Sequence, residues 1–157
     1  MDSEIETYRD QICRLLERLQ MELERLSEEQ LNARPSLSGA NSPYVIAAHV
    51  VGNARAWVLG IACGRPLRRD RPAEFASRGS HAEISAGIGR LMHEIGGALA
   101  TLDPKELDRR LLPAPELWGE GEPMEVSVRG ALIEVIEHAS IHLGQLQVTR
   151  DLLVHSG

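Results

Sequence analysis

Aromatic residues are scarce in this 157-residue chain, which has one Phe, two Tyr and two Trp. Its core must therefore be built from Leu, Ile, Val and Ala. Cysteine is nearly absent. Cys13 and Cys63 form neither a redox pair nor a thiolate metal spacing, and nothing requires them to form a disulfide. Positive charge is also short, with a net charge of -6 when His is neutral. That balance argues against nucleic acid or an anionic membrane surface as the main partner, because both reward a basic patch. The opening stretch MDSEIETYRD has neither the basic nor the apolar segment of a signal peptide. No apolar run reads as membrane-spanning. A cytoplasmic protein is the expectation. No stretch alternates with period two between hairpin turns, so strands are not predicted. The length suits one domain over residues 1–157.

What the chain does have is helical periodicity. Ile5, Tyr8, Ile12, Leu15, Leu16, Leu19, Leu23 and Leu26 recur at three and four and predict a helix over about residues 3–26. Ser27 and Gln30 have capping-box spacing for a short turn ended by Pro35. Asn41 or Ser42 can cap a second helix with Pro43 at its first position, closed by Gly64 and Pro66. A loop carrying Arg65, Arg68, Arg69, Arg71 and Arg78 follows. It is either an anion-binding segment or a solvated loop balanced by Asp70 and Glu74. Ser80 and Glu83 again have capping-box spacing, and Ile84, Ile88, Leu91, Ile95, Leu99 and Leu102 mark a third helix. The stretch from Asp103 to Val126 is rich in Pro and Gly, holds Trp118, and reads as a long ordered loop or lid. A fourth helix is predicted from near Val126 to near Val154. Four such helices make an all-α four-helix bundle the expected fold.

The chemistry lies on the fourth helix. At ~100° per residue, Leu132, Val135, Ile136, Ala139, Leu143 and Leu146 form its main apolar arc. Glu134, His138, His142, Gln145 and Thr149 form a polar stripe beside it, and Ile133, Ile141 and Val148 form a second apolar patch beyond. A polar stripe between two apolar surfaces is unusual for a solvent face. His138 and His142 are an i, i+4 pair and can converge on one ion. Alone, such a pair is a weak signal. His49, on the second helix in apolar company, is the candidate third ligand; its alternative is a hydrogen-bonded core histidine. Gly52 and Ala56 on the same face would leave room beside its ring. His93 falls on the back of its helix, His81 at a helix start and His155 near the end of the chain. Ferritin-like di-metal chemistry is set aside, because Glu134, Glu137 and His138 miss the Glu-x-x-His spacing and the second helix offers no carboxylate. The HEIGG stretch lacks a second His, and GEGEP lacks the context of a nucleotide loop.

Three imidazoles would leave an ion strongly Lewis-acidic with a position open to water or substrate. Zinc is the first expectation, and nickel, iron or copper also suit an all-nitrogen site. Glu134 and Gln145 can either orient a ligand imidazole or handle a proton, or be solvated helix positions.

The segments NSPYVIAAHVVGNARAWVLGIACGRPLRRDRPAEF and VRGALIEVIEHASIHLGQLQVTRDLL resemble the second helix with its loop and the last helix of the DinB/YfiT-like metalloenzyme superfamily. One His, a long gap, then HxxxH followed by Gly-Gln is the pattern shared. The resemblance covers nearly the whole chain. It implies an up-down-down-up four-helix bundle, often dimeric, with His49, His138 and His142 around a divalent metal. Relatives include thiol-dependent S-transferases and mycothiol-dependent maleylpyruvate isomerase, so the resemblance implies a small-molecule substrate and a low-molecular-weight thiol as partners. Related sequences often carry His where this one has Glu134. A site closed by Glu134 would instead fit a non-catalytic dimeric metal-binding bundle. The apolar patch of Ile133, Ile141 and Val148 predicts a homodimer.

Overall fold

Helix α1, Ser3–Glu24, buries the predicted stripe of Ile5, Ile12, Leu15, Leu16, Leu19 and Leu23. A computed structural model describes residues 2–155 of the chain. Helix α2, Glu28–Asn32, begins on the capping box of Ser27 and Gln30. Helix α3, Pro43–Ala54, is capped by Ser42, whose hydroxyl accepts from the Val45 amide, and has Pro43 in its first turn. A π-helical segment, Arg55–Ala62, continues it without a break. Helix α4, Arg71–Phe75, interrupts the arginine-rich segment, which the sequence had suggested as a plain loop. Helix α5, His81–Ala100, starts on the capping box of Ser80 and Glu83.

The segment between α5 and the last helix holds a 3₁₀ turn at Pro104–Asp108, strand β1 at Arg110–Leu111, helix α6 at Pro115–Trp118 and strand β2 at Val126–Ser127. The two strands pair antiparallel. Two residues per strand are too few to leave an alternating pattern, which is why the sequence did not predict them. Helix α7, Val128–His155, starts two residues later than its periodicity predicted.

Helix α1 packs on α5 and α7, and α3 with its π-helical extension packs on α5 and α7. Arg129 and Arg150 of α7 pair with Glu4 and Glu22, near opposite ends of α1. The molecule is thus mostly helical. The helical stretch Pro43–Ala62 is long and apolar enough to cross a membrane, a length the sequence reading had not credited, but most of it is buried among the other helices. Cys13 and Cys63 are both free thiols. Helix α7 faces the core with Leu132, Val135, Ala139, Leu143 and Leu146, while Ile133, Ile141 and Val148 are exposed on its outer side. Thr149, placed by the helical wheel on the polar stripe, is buried.

Candidate metal centre

The spacing of one helical turn puts His138 and His142 on the same side of α7, with ring centroids 4.3 Å apart. Helix α3 delivers His49 against them, with its ring centroid 4.8 Å from that of His138 and 4.9 Å from that of His142. His49 is buried, and the other two are half-buried. One ring nitrogen from each lies within 4.8 Å of the others. Among the described residues, this is the group of side chains whose donor atoms converge as metal ligands do.

Neighbouring side chains fix which nitrogens face inward. His49 Nδ1 lies 2.9 Å from Glu74 Oε2. Burial pushes the Glu74 carboxyl up, but hydrogen bonds from His49 and Arg69 outweigh it and hold the group below the usual carboxylate range. An ionised carboxylate only accepts, so His49 Nδ1–H donates to it and Nε2 is the ring nitrogen turned toward the cluster. Arg69 grips the same carboxylate with two bonds, Nε to Oε1 at 2.7 Å and Nη2 to Oε2 at 3.0 Å. Its side chain is only 4% exposed. In the same way His142 Nδ1 donates to Gln145 Oε1 at 2.7 Å, which leaves His142 Nε2 free. His138 Nδ1 is buried without a hydrogen-bond partner among the described residues.

His138 Nε2 and His49 Nε2 face each other at 3.0 Å. Two nitrogens bound to one tetrahedral ion at ~2.0–2.1 Å stand about 3.3 Å apart. The donor set and its spacing therefore fit a divalent ion. The two imidazoles of α7 are also held in the form that coordinates. Burial, with His142, His49, Arg69 and Arg71 nearby, pushes His138 down to about 3. Burial also lowers His142, although the bond to Gln145 opposes it.

The cluster forms part of the wall of a cavity of about 130 Å³ lined by His49, Asn53, Arg69, Arg71, Trp118, Gly119, Glu120, Glu134 and His138. The Trp118 ring lies 5.2 Å from that of Trp57, on the π-helical segment, and is tilted 39° to it. A larger groove of about 390 Å³ lies between residues 35–41 and the second half of α7. Its lining has no ionisable side chain, whereas the smaller cavity is lined by His49, Arg69, Arg71, Glu134 and His138.

The sequence model of the DinB superfamily matches residues 11–146. The chain belongs to the DinB superfamily. Among solved structures, this DinB-superfamily chain is similar to a conserved protein from Enterococcus faecalis, with a TM-score of 0.70, 16% identity and coverage of 99% of both chains. It is also similar to a DinB-like protein from Bacillus cereus, with a TM-score of 0.64 and 21% identity over 86% of this chain and 83% of that one. No curated protein matches it.

The structure brings together His49, His138 and His142. Glu134 lies in the cavity wall beside His138 and outside the converging group. Its carboxyl is raised by burial and then by Glu137. Gln145 reaches His142. Sequence reasoning left Glu74 and Arg69 as members of an arginine-rich loop, and the structure corrects this: both are largely buried and tied to His49. One trace of them was visible. The space beside His49 that Gly52 opens is filled by the Glu74 carboxylate, and a Cβ on Gly52 would lie 1.9 Å from Glu74 Oε1. Asn53, which the helical spacing puts on the same face as His49, is buried in the cavity wall with Oδ1 unpartnered among the described residues.

Proposed function

We propose that this chain is a metal-dependent enzyme in which His49, His138 and His142 hold a divalent ion, zinc first and nickel or iron next. Its chemistry would be thiol-dependent transfer or isomerisation, or hydrolysis, on a small molecule. The observation that carries this reading is the convergence of three imidazoles, two of which have Nδ1 committed to Glu74 and Gln145. A histidine-bound divalent ion supplies a Lewis acid that activates a nucleophile near neutral pH.

The chain's own residues supply the rest. Glu74 and Gln145 orient two ligand rings and set their tautomers. Arg69 keeps Glu74 ionised and in place. Glu134, raised by burial and facing the cavity, is placed to take up and return a proton. Trp118 contributes an apolar ring to the cavity wall. The accompanying proposals are a cytoplasmic, single-domain, up-down-down-up four-helix bundle that pairs through the exposed patch on α7.

A second reading is a non-catalytic dimeric metal-binding protein. The size of the cavity favours it, because about 130 Å³ falls below the ~300 Å³ at which ordinary ligand sites begin. Metal analysis of the native protein and of a His138→Ala/His142→Ala variant tests the shared part. We expect near-stoichiometric ion in the first and little in the second; a native protein without bound ion overturns the proposal. Turnover of a generic electrophile with cellular thiols then separates enzyme from binding protein.

A further inference from the structure

The cavity beside the histidines contains two arginines that differ in kind. Arg69 is buried and fully engaged by Glu74. Arg71 has one ion-pair partner among the described residues, Glu120, at 2.9 Å. Glu120 comes from the segment after α6 and is 79% exposed. Gly119 and Gly121 flank it, at φ 114° and 73°. These backbone conformations are open to glycine and costly for other residues. The Gly-Glu-Gly turn therefore presents a single carboxylate to the guanidinium at the cavity. The guanidinium itself is pre-positioned, 5.0 Å above the Phe75 ring. An exposed pair of this sort contributes little, so another carboxylate can replace Glu120 at small cost.

A second observation in the same cavity points to a ligand. Asn53 is 5% exposed, and its Oδ1 has no partner among the described residues. A buried amide oxygen without a donor is costly. A ligand with a hydroxyl or amine would supply the donor.

We propose that the cavity binds a small carboxylate that also carries a hydrogen-bond donor, with its carboxylate on Arg71 and its donor toward Asn53. In the free protein Glu120 stands in for that carboxylate. Swinging Glu120 out frees Arg71 and widens the cavity, so its small volume belongs to the closed arrangement. This inference rests on the reading of the cavity as a reaction site, and it names the substrate class.

The test follows tryptophan fluorescence from Trp118 and Trp57 during titration with lactate at constant ionic strength, using full-length protein stripped of metal and the same protein loaded with zinc. Methyl lactate, which lacks the charge, is the control. Binding of lactate and not of the ester is expected. Arg71→Gln should weaken it by roughly tenfold, the worth of a charge-assisted contact. Glu120→Gln should bind lactate several-fold tighter than the native chain, because its internal competitor is gone. Equal affinity in Glu120→Gln and native protein overturns the proposal, as does an affinity unmoved in an Arg71→Gln variant that keeps its native circular dichroism. Tighter binding of inorganic phosphate than of lactate overturns the ligand class. If zinc loads but lactate does not bind, this inference fails and the metal reading stands. If lactate binds through Arg71 and no metal loads, the reverse holds.

Discussion

At Gly52 the main chain runs so close to Glu74 that no side chain fits between them. The Gly52→Ala substitution would keep α3 helical, and Ala even favours a helix. It would nonetheless push Glu74 off His49 Nδ1. Loss of a carboxylate behind a ligand imidazole typically lowers metal affinity about 10–100-fold. Zinc competition against a chromophoric chelator should show a drop of that size, with α-helix content unchanged; an affinity equal to the native value would remove Glu74 from the design. His138 gives a second expectation. Its proton affinity is pushed down to about 3 by burial and nearby positive groups. In the unfolded chain a histidine titrates near 6.5. Below that value the unfolded state takes up a proton that the fold refuses. The contribution is therefore complete above about pH 6.5 and is lost as pH falls toward 3. Metal-free protein should be less stable to urea at pH 5 than at pH 7, by about 1 kcal/mol from this residue after allowing for its partial exposure. His138→Gln should flatten that slope, and an equally steep slope in the variant would assign the effect elsewhere.

Among the elements, α7 was the most legible in sequence. Its arc of Leu132, Val135, Ala139, Leu143 and Leu146 repeats with helical spacing, and those residues are buried. The same periodicity put His138 and His142 on one side. Helix α3 was legible through Ser42, Pro43 and its apolar run, although nothing in the sequence marked where it passes into the π-helical segment. Helix α4 was not legible. Five residues give no periodicity, and Arg69, Asp70, Arg71 and Glu74 read as a solvated charge run until the fold buries Arg69 and Glu74. The support behind His49 thus depends on a short segment 25 residues along the chain, and only tertiary contact relates the two. Glu134 is the opposite case. Its place on the stripe was plain from the wheel, yet its role depends on where the cavity opens.

For the whole molecule, the outer surface of α7 sets the expected assembly. Ile133, Ile141 and Val148 are exposed along it, and the last two are more than 60% exposed. Three large aliphatic side chains on the outer side of one helix suit a second copy of the chain related by a two-fold axis. Light scattering at micromolar concentration should report a dimer for the native protein and a monomer for Ile141→Asp. A native monomer would remove this assembly. Metal uptake should survive in the variant, because Ile141 is exposed and is not one of the converging ligands.

The three histidines come from only two helices, and His49 and His138 are separated by 89 residues of sequence. An ion shared by them would act as a clasp on the chain, closing a loop that includes α4, α5 and the whole segment carrying Trp118. Unfolding would then have to release the ion before α3 could part from α7. The cation would govern how long the folded molecule lasts as well as what it can react with.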